Sequence, residues 1–120
     1  MKYLFWISLF ILPLQADKAL KIIVSILPQK TWVHKIAGSL VDVDVMVKPN
    51  YSPATYEPKP KQMITLSKAN IYFAIGVPFE NIWLQKFIAQ NKKMIVVDIS
   101  KNIQKQPILK YHHKYFFCFI

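Results

Sequence analysis

The sequence predicts an α/β fold, a single lobe in which a four-stranded parallel sheet carries helices on both faces. Three observations support this. Four runs rich in valine and isoleucine, 21–27, 41–47, 71–75 and 94–99, are separated by stretches with helical spacing, the order of right-handed βαβ units. Several of these runs are almost unbroken apolar sequence, as suits strands covered on two sides. A chain of 120 residues is also long enough for one domain with a real core and too short for two of ordinary size.

Taken in order, Met1 and Lys2 precede an apolar run from Tyr3 to Leu14 and then Gln15-Ala16-Asp17. These read as the n-region, h-region and cleavage site of a signal peptide spanning 1–16, so the mature chain is expected to start at Asp17 in the periplasm. The run is shorter than the roughly 20 residues a membrane-spanning helix needs. No transmembrane segment is therefore expected in the mature chain, and the absence of a cysteine after the site gives no sign of a lipid anchor. The expected lobe spans 17–103.

Its first strand, Lys21 to Leu27, has the continuous apolar character of a central parallel strand. Pro28 opens a helix whose Trp32, Val33 and Ile36 fall on one face, Gly38 ends it, and His34 points to solvent. In the second strand Val41, Val43, Val45 and Val47 alternate with Asp42, Asp44 and Met46, which marks an edge strand with one wetter face. Met63, Ile64, Leu66 and Ala69 give the second helix its apolar stripe after Pro60. Ile71 to Ile75 forms the third strand, stopped by Gly76 and Pro78. The third helix, Phe79 to about Gln90, buries Phe79, Trp83 and Phe87 with Leu84 and Ile88 beside them. Met94 to Ile99 reads as a fourth, buried strand.

Between the second strand and second helix lies the proline-rich stretch Lys48-Pro49-Asn50-Tyr51-Ser52-Pro53-Ala54-Thr55-Tyr56-Glu57-Pro58-Lys59-Pro60. Each proline fixes its own φ and drives the preceding residue toward extended conformations, so the loop is expected to keep one shape. It leaves the carboxyl end of a strand, where open α/β sheets meet their ligands.

Ser52-Pro53-Ala54-Thr55-Tyr56-Glu57-Pro58 resembles the Pro-His-x-Tyr-Glu-Pro motif of the zinc/manganese-type solute-binding proteins of bacterial ABC transporters. The resemblance extends through Val24-Ser25-Ile26-Leu27-Pro28-Gln29-Lys30, Lys35-Ile36-Ala37-Gly38, Leu66-Ser67-Lys68-Ala69-Asn70 and Gly76-Val77-Pro78-Phe79-Glu80. It implies the amino-terminal half of a two-lobed protein that binds Zn2+, with Mn2+ the other candidate, and hands it to an ABC permease. In that family the motif histidine is the first metal ligand, a second comes from near the start of a linking helix, and the others from the second lobe. Here the first position is Ala54, which has no donor atom.

The remaining ligand candidates are few, since a tight zinc site needs three or four nitrogen, sulfur or carboxylate donors. His112 and His113 resemble the start of the family's histidine-rich loop and are weak candidates, because ordering them would offset the gain of two bonds. Glu57 is a lesser one, with a structural role accepting backbone N–H bonds of the loop favoured over ligation. Residues 104–120, lysine- and histidine-containing and ending in the apolar Tyr115-Phe116-Phe117-Cys118-Phe119-Ile120, read as an aberrant tail of a truncated and functionally impaired copy. The tail has no periodic partner in the sequence.

Composition removes other functions. Glycine occurs only at positions 38 and 76, so neither a dinucleotide fingerprint nor a P-loop can be present. No nucleophile, base and orienting group can be assembled, as Ser25, Ser52 and Thr55 have no histidine placed near them by sequence, and no enzyme is expected. The net charge of +10 raises an alternative, a secreted basic module binding an anionic surface or nucleic acid. All 16 basic residues are lysines spread over the chain, whereas base reading and planar phosphate clamping are mostly arginine work, so no nucleic-acid partner is expected.

Overall fold

The computed structural model describes residues 19–104. Four strands, β1 (Leu20–Ile26), β2 (Val41–Val47), β3 (Ile71–Ala74) and β4 (Ile95–Asp98), form one parallel sheet in the order β2-β1-β3-β4. Three α-helices connect them, α1 (Leu27–Ala37), α2 (Pro60–Leu66) and α3 (Pro78–Gln90). β1 is central and almost wholly buried, as its unbroken apolar run requires, and β2 is an edge whose Asp42 and Asp44 face solvent. The expected sheet is therefore found, with β2 at its expected place.

The helices divide between the two faces. Ile22 and Val24 of β1 and Val43 and Val45 of β2 meet Val33 of α1 on one side. On the other, Ile23, Met46 and Tyr72 meet Leu66 of α2 and Phe79 and Phe87 of α3. The larger core thus lies under α2 and α3, where the Tyr72 and Phe87 rings are 5.4 Å apart. Asn91 at the end of α3 donates to the carbonyls of Leu66 (3.0 Å) and Ala69 (2.8 Å), joining the ends of the two helices.

Some helix faces differ from the expectation. α1 turns Gln29, Val33 and Ala37 toward the sheet, and leaves Trp32 and Ile36 exposed. Gln29 displaces them because it is a tertiary bridge. Its side chain accepts from the Ile26 N–H (3.0 Å) and donates to the Phe73 carbonyl (3.2 Å), which fixes the rotation of the helix. Ile64 and Ile88 also lie outside their expected stripes, at exposed positions on α2 and α3. Gly38 ends α1 at φ +56°, as expected, with its N–H on the His34 carbonyl, and His34 itself is exposed.

The fourth strand is the clearest correction. It is an edge, with Met94 buried, Val96 half-buried and Ile95, Val97 and Ile99 exposed. Its unbroken apolar sequence calls for cover on both faces, but among the described residues only the face toward α3 has it.

Candidate metal-binding loop

The proline-rich loop leaves the carboxyl end of β2 through two turns. In the first, the Tyr51 N–H donates to the Lys48 carbonyl (3.3 Å), and Asn50 takes φ +70°, a left-handed conformation that asparagine tolerates better than most side chains. In the second, the Thr55 N–H donates to the Ser52 carbonyl (3.3 Å), with Pro53 at the position whose φ the ring pre-sets. The Ser52 hydroxyl accepts from the Ala54 N–H (3.3 Å) and closes that turn from within.

Tyr56 is the anchor. Its ring is buried, with its centroid 5.6 Å from that of Tyr51 and 5.8 Å from that of Phe79, both edge-on, and its hydroxyl donates to Gln62 Oε1 at 2.5 Å. Gln62 Oε1 also accepts from the Lys59 N–H (3.0 Å), while Nε2 donates to the Met46 carbonyl at the end of β2 (2.6 Å). One amide thus ties the loop, the start of α2 and the sheet together. We expect Gln62→Ala to cost about 1–3 kcal/mol, because it leaves the part-buried Tyr56 hydroxyl and Met46 carbonyl without this partner. A urea midpoint that does not move would contradict this placement.

A second tie runs from the loop to α3. The Phe79 N–H donates to the Pro53 carbonyl (3.2 Å), one residue before Ala54. The first turn of α3 is in turn locked to the sheet by Glu80, which is only 3% exposed. Its Oε1 accepts from the Ser25 hydroxyl of β1 and from the Ile75 N–H (3.1 Å), and its Oε2 from the Gly76 N–H (2.7 Å). Ser25 gives its single proton to Glu80, so the Tyr72 hydroxyl, 2.8 Å away, donates to Ser25. Burial first of all, then the nearby Glu80 charge, pushes the Tyr72 hydroxyl far above its ordinary pKa, and it keeps that proton.

The loop therefore holds position 54 in place from both sides and leaves it exposed. What stands there is a methyl group. Glu57 is exposed, and the N–H groups of Tyr51, Ala54, Thr55 and Lys59 go to Lys48, Ser52 and Gln62 and not to its carboxylate, so the structural role expected for it is not found. His112 and His113 lie outside the described residues. Among the described residues no three His, Cys, Asp or Glu side chains are grouped closely enough to hold a metal ion. Likewise among the described residues, no helix is long and apolar enough to cross a membrane.

Sequence reasoning missed the two residues that position the loop. Gln62 stands three residues after Lys59, the spacing of a helix amino-terminal box, and could have been found by it. Glu80 gave no comparable sign of its contact with Ser25, 55 residues away.

The comparisons with known proteins agree with this geometry. The family model of the zinc-uptake complex component A, periplasmic (ZnuA), matches residues 22–115. The manganese-binding lipoprotein MntA of Halalkalibacterium halodurans is 29% identical over 91 residues, which is 76% of this chain and 30% of that one. The crystal structure of ZnuA superposes with a TM-score of 0.71 at 44% identity, covering 76% of this chain and 36% of that one. A ZnuA deletion mutant with zinc bound gives a TM-score of 0.68 at 46% identity, over 72% of this chain and 34% of that one. The chain spans about a third of the length of these relatives. A matched stretch covering most of the sequence and a fold shared at over 40% identity place the chain in the family of periplasmic zinc-uptake component A proteins.

Proposed function

We propose that this chain is the amino-terminal lobe of the metal-binding component of a bacterial ABC uptake system, with zinc as cargo and manganese as the other candidate. The carrying observation is the Pro53–Pro58 loop, pinned through Tyr56, Gln62 and the Phe79 N–H at the carboxyl end of the sheet. Such a loop offers a ligand position that costs little ordering when metal arrives. The cargo supports the same reading, since the relatives include a zinc-bound ZnuA and a manganese-binding lipoprotein. An ABC permease is the partner that this role requires.

This copy is impaired as a binder. Ala54 removes the first donor, and the weak candidates His112 and His113 do not replace a closed set of ligands. Calorimetric titration is expected to show only weak zinc binding by the 120-residue chain, any of it lost on replacing His112 and His113 by alanine. Tight zinc binding by the unchanged chain would refute the reading.

The same role requires export. Residues 1–16 carry the charge, the apolar run and the Ala16-Asp17 junction of a cleaved leader, and the mature chain starts at Asp17. Amino-terminal sequencing of the protein from the cell-envelope fraction should read Asp-Lys-Ala-Leu. Recovery of an intact Met1 form from the cytoplasm would refute export.

A further inference from the structure

Half of one sheet face has no covering layer among the described residues. α1 lies over β1 and β2, and α2 and α3 occupy the opposite side. Residues in register on parallel strands point the same way, so Ile71 and Phe73 of β3 and Ile95 and Val97 of β4 share the α1 side with Ile22 and Val24. A right-handed crossover from β1 to β2 turns the stripe one residue before Val33 toward β3, not toward the outer edge. That stripe is Trp32 and Ile36. The result is a trough floored by the half-buried Ile71 and Phe73, with Trp32 (53% exposed) and Ile36 (87%) on one wall and Ile95 (61%) and Val97 (37%) on the other. Apolar surface gathered in this way marks a face built to be covered.

We propose that residues 105–120 of this same chain cover the trough. The described chain ends at Gln104, shortly past the carboxyl end of β4, the strand that forms the outer wall. From there sixteen residues remain (120 − 104). They can reach about 24 Å as a helix and about 50 Å extended, against roughly 13 Å for a four-residue strand. Their composition is complementary, with Ile108, Leu109 and Tyr111 followed by the apolar Tyr115 to Ile120. The family match also runs to residue 115, eleven residues beyond the described lobe (115 − 104). The two sheet edges differ in the same sense. On this face β2 presents Val43 and Val45, which α1 covers, whereas Ile95 and Val97 of β4 have no such cover among the described residues and need one supplied by the chain that follows them.

Cys118 is the only cysteine of the chain and serves as the probe. In the full chain, Ile36→Cys, Ile95→Cys and Val97→Cys are each exposed to a mild oxidant, with Lys61→Cys on the opposite side as control. Intramolecular linkage to Cys118, read by mass spectrometry, is expected to form at least tenfold faster from one or more trough positions than from the control. A second measurement uses Ile95→Lys, which should lower the melting temperature of the full chain by about 5 °C or more if the site is covered. Equal linkage rates at all four positions would overturn the proposal, and so would an unchanged melting temperature. Disulfide-linked dimers as the main product would overturn it in favour of a second copy as the cover.

Discussion

Zinc affinity should rise by more than about a hundredfold when Ala54→His is introduced into a chimera that joins this lobe to the second lobe of a ZnuA relative. Loss of a group merely supporting a metal ligand typically costs 10–100-fold in affinity, and a missing ligand costs more. The imidazole would enter a position already fixed on both sides, with Ser52 holding the Ala54 N–H at 3.3 Å and the Phe79 N–H holding the preceding carbonyl at 3.2 Å. Little ordering beyond the imidazole's own rotamers has to be offset. In the 120-residue chain the same change should leave binding weak, because a single nitrogen is not a site. Calorimetry of the four combinations, with and without the histidine and the second lobe, separates these effects. No gain from Ala54→His in the chimera would show that the loop does not present position 54 to the metal.

The parts of this lobe that were legible in the sequence are those set by local pattern. The alternation of Val41 to Val47 with two aspartates placed β2 at an edge, and the unbroken run before Leu27 placed β1 at the centre, because burial on one face or two writes itself into period. The prolines of the loop fixed its path residue by residue. β4 was misread for the same reason that β1 was read correctly. An apolar run reports that both faces are meant to be covered, and it does not say which segment covers them. Trp32 and Ile36 carry the same ambiguity, since a helix with apolar residues on two adjacent stripes leaves open which one meets the sheet. The site's supports were less legible still. Gln29, Gln62 and Glu80 act through partners on other elements, up to 55 residues away, and a polar residue at a buried position is indistinguishable in sequence from one on the surface.

Glu80 is where that hidden layer should show its largest effect. Its carboxyl group, 3% exposed, takes hydrogen bonds from the Ser25 hydroxyl and from the Ile75 and Gly76 N–H groups, and among the described residues no lysine pairs with it. Glu80→Ala removes all three acceptances at once and strands two backbone donors and the Ser25–Tyr72 pair beneath α3. Leaving a buried donor without its acceptor costs about 1–3 kcal/mol, so the two backbone donors together cost about 2–6 kcal/mol, and in a domain of this size each kcal/mol lowers the melting temperature by about 4–8 °C. A fall of at least about 8 °C is therefore expected. Glu80→Gln should fall between the two, because its amide oxygen can still accept while its NH2 group faces a backbone donor. The loss should also reach the loop. Phe79 follows Pro78 in the same first turn of α3 and holds Pro53 through its N–H and Tyr56 through its ring, so loosening that turn frees the segment around position 54. Limited chymotrypsin digestion at Tyr51 and Tyr56, run at a temperature where the variant remains folded, should accelerate in Glu80→Gln. Unchanged digestion alongside a lowered melting temperature would mean that Glu80 supports the sheet without positioning the loop.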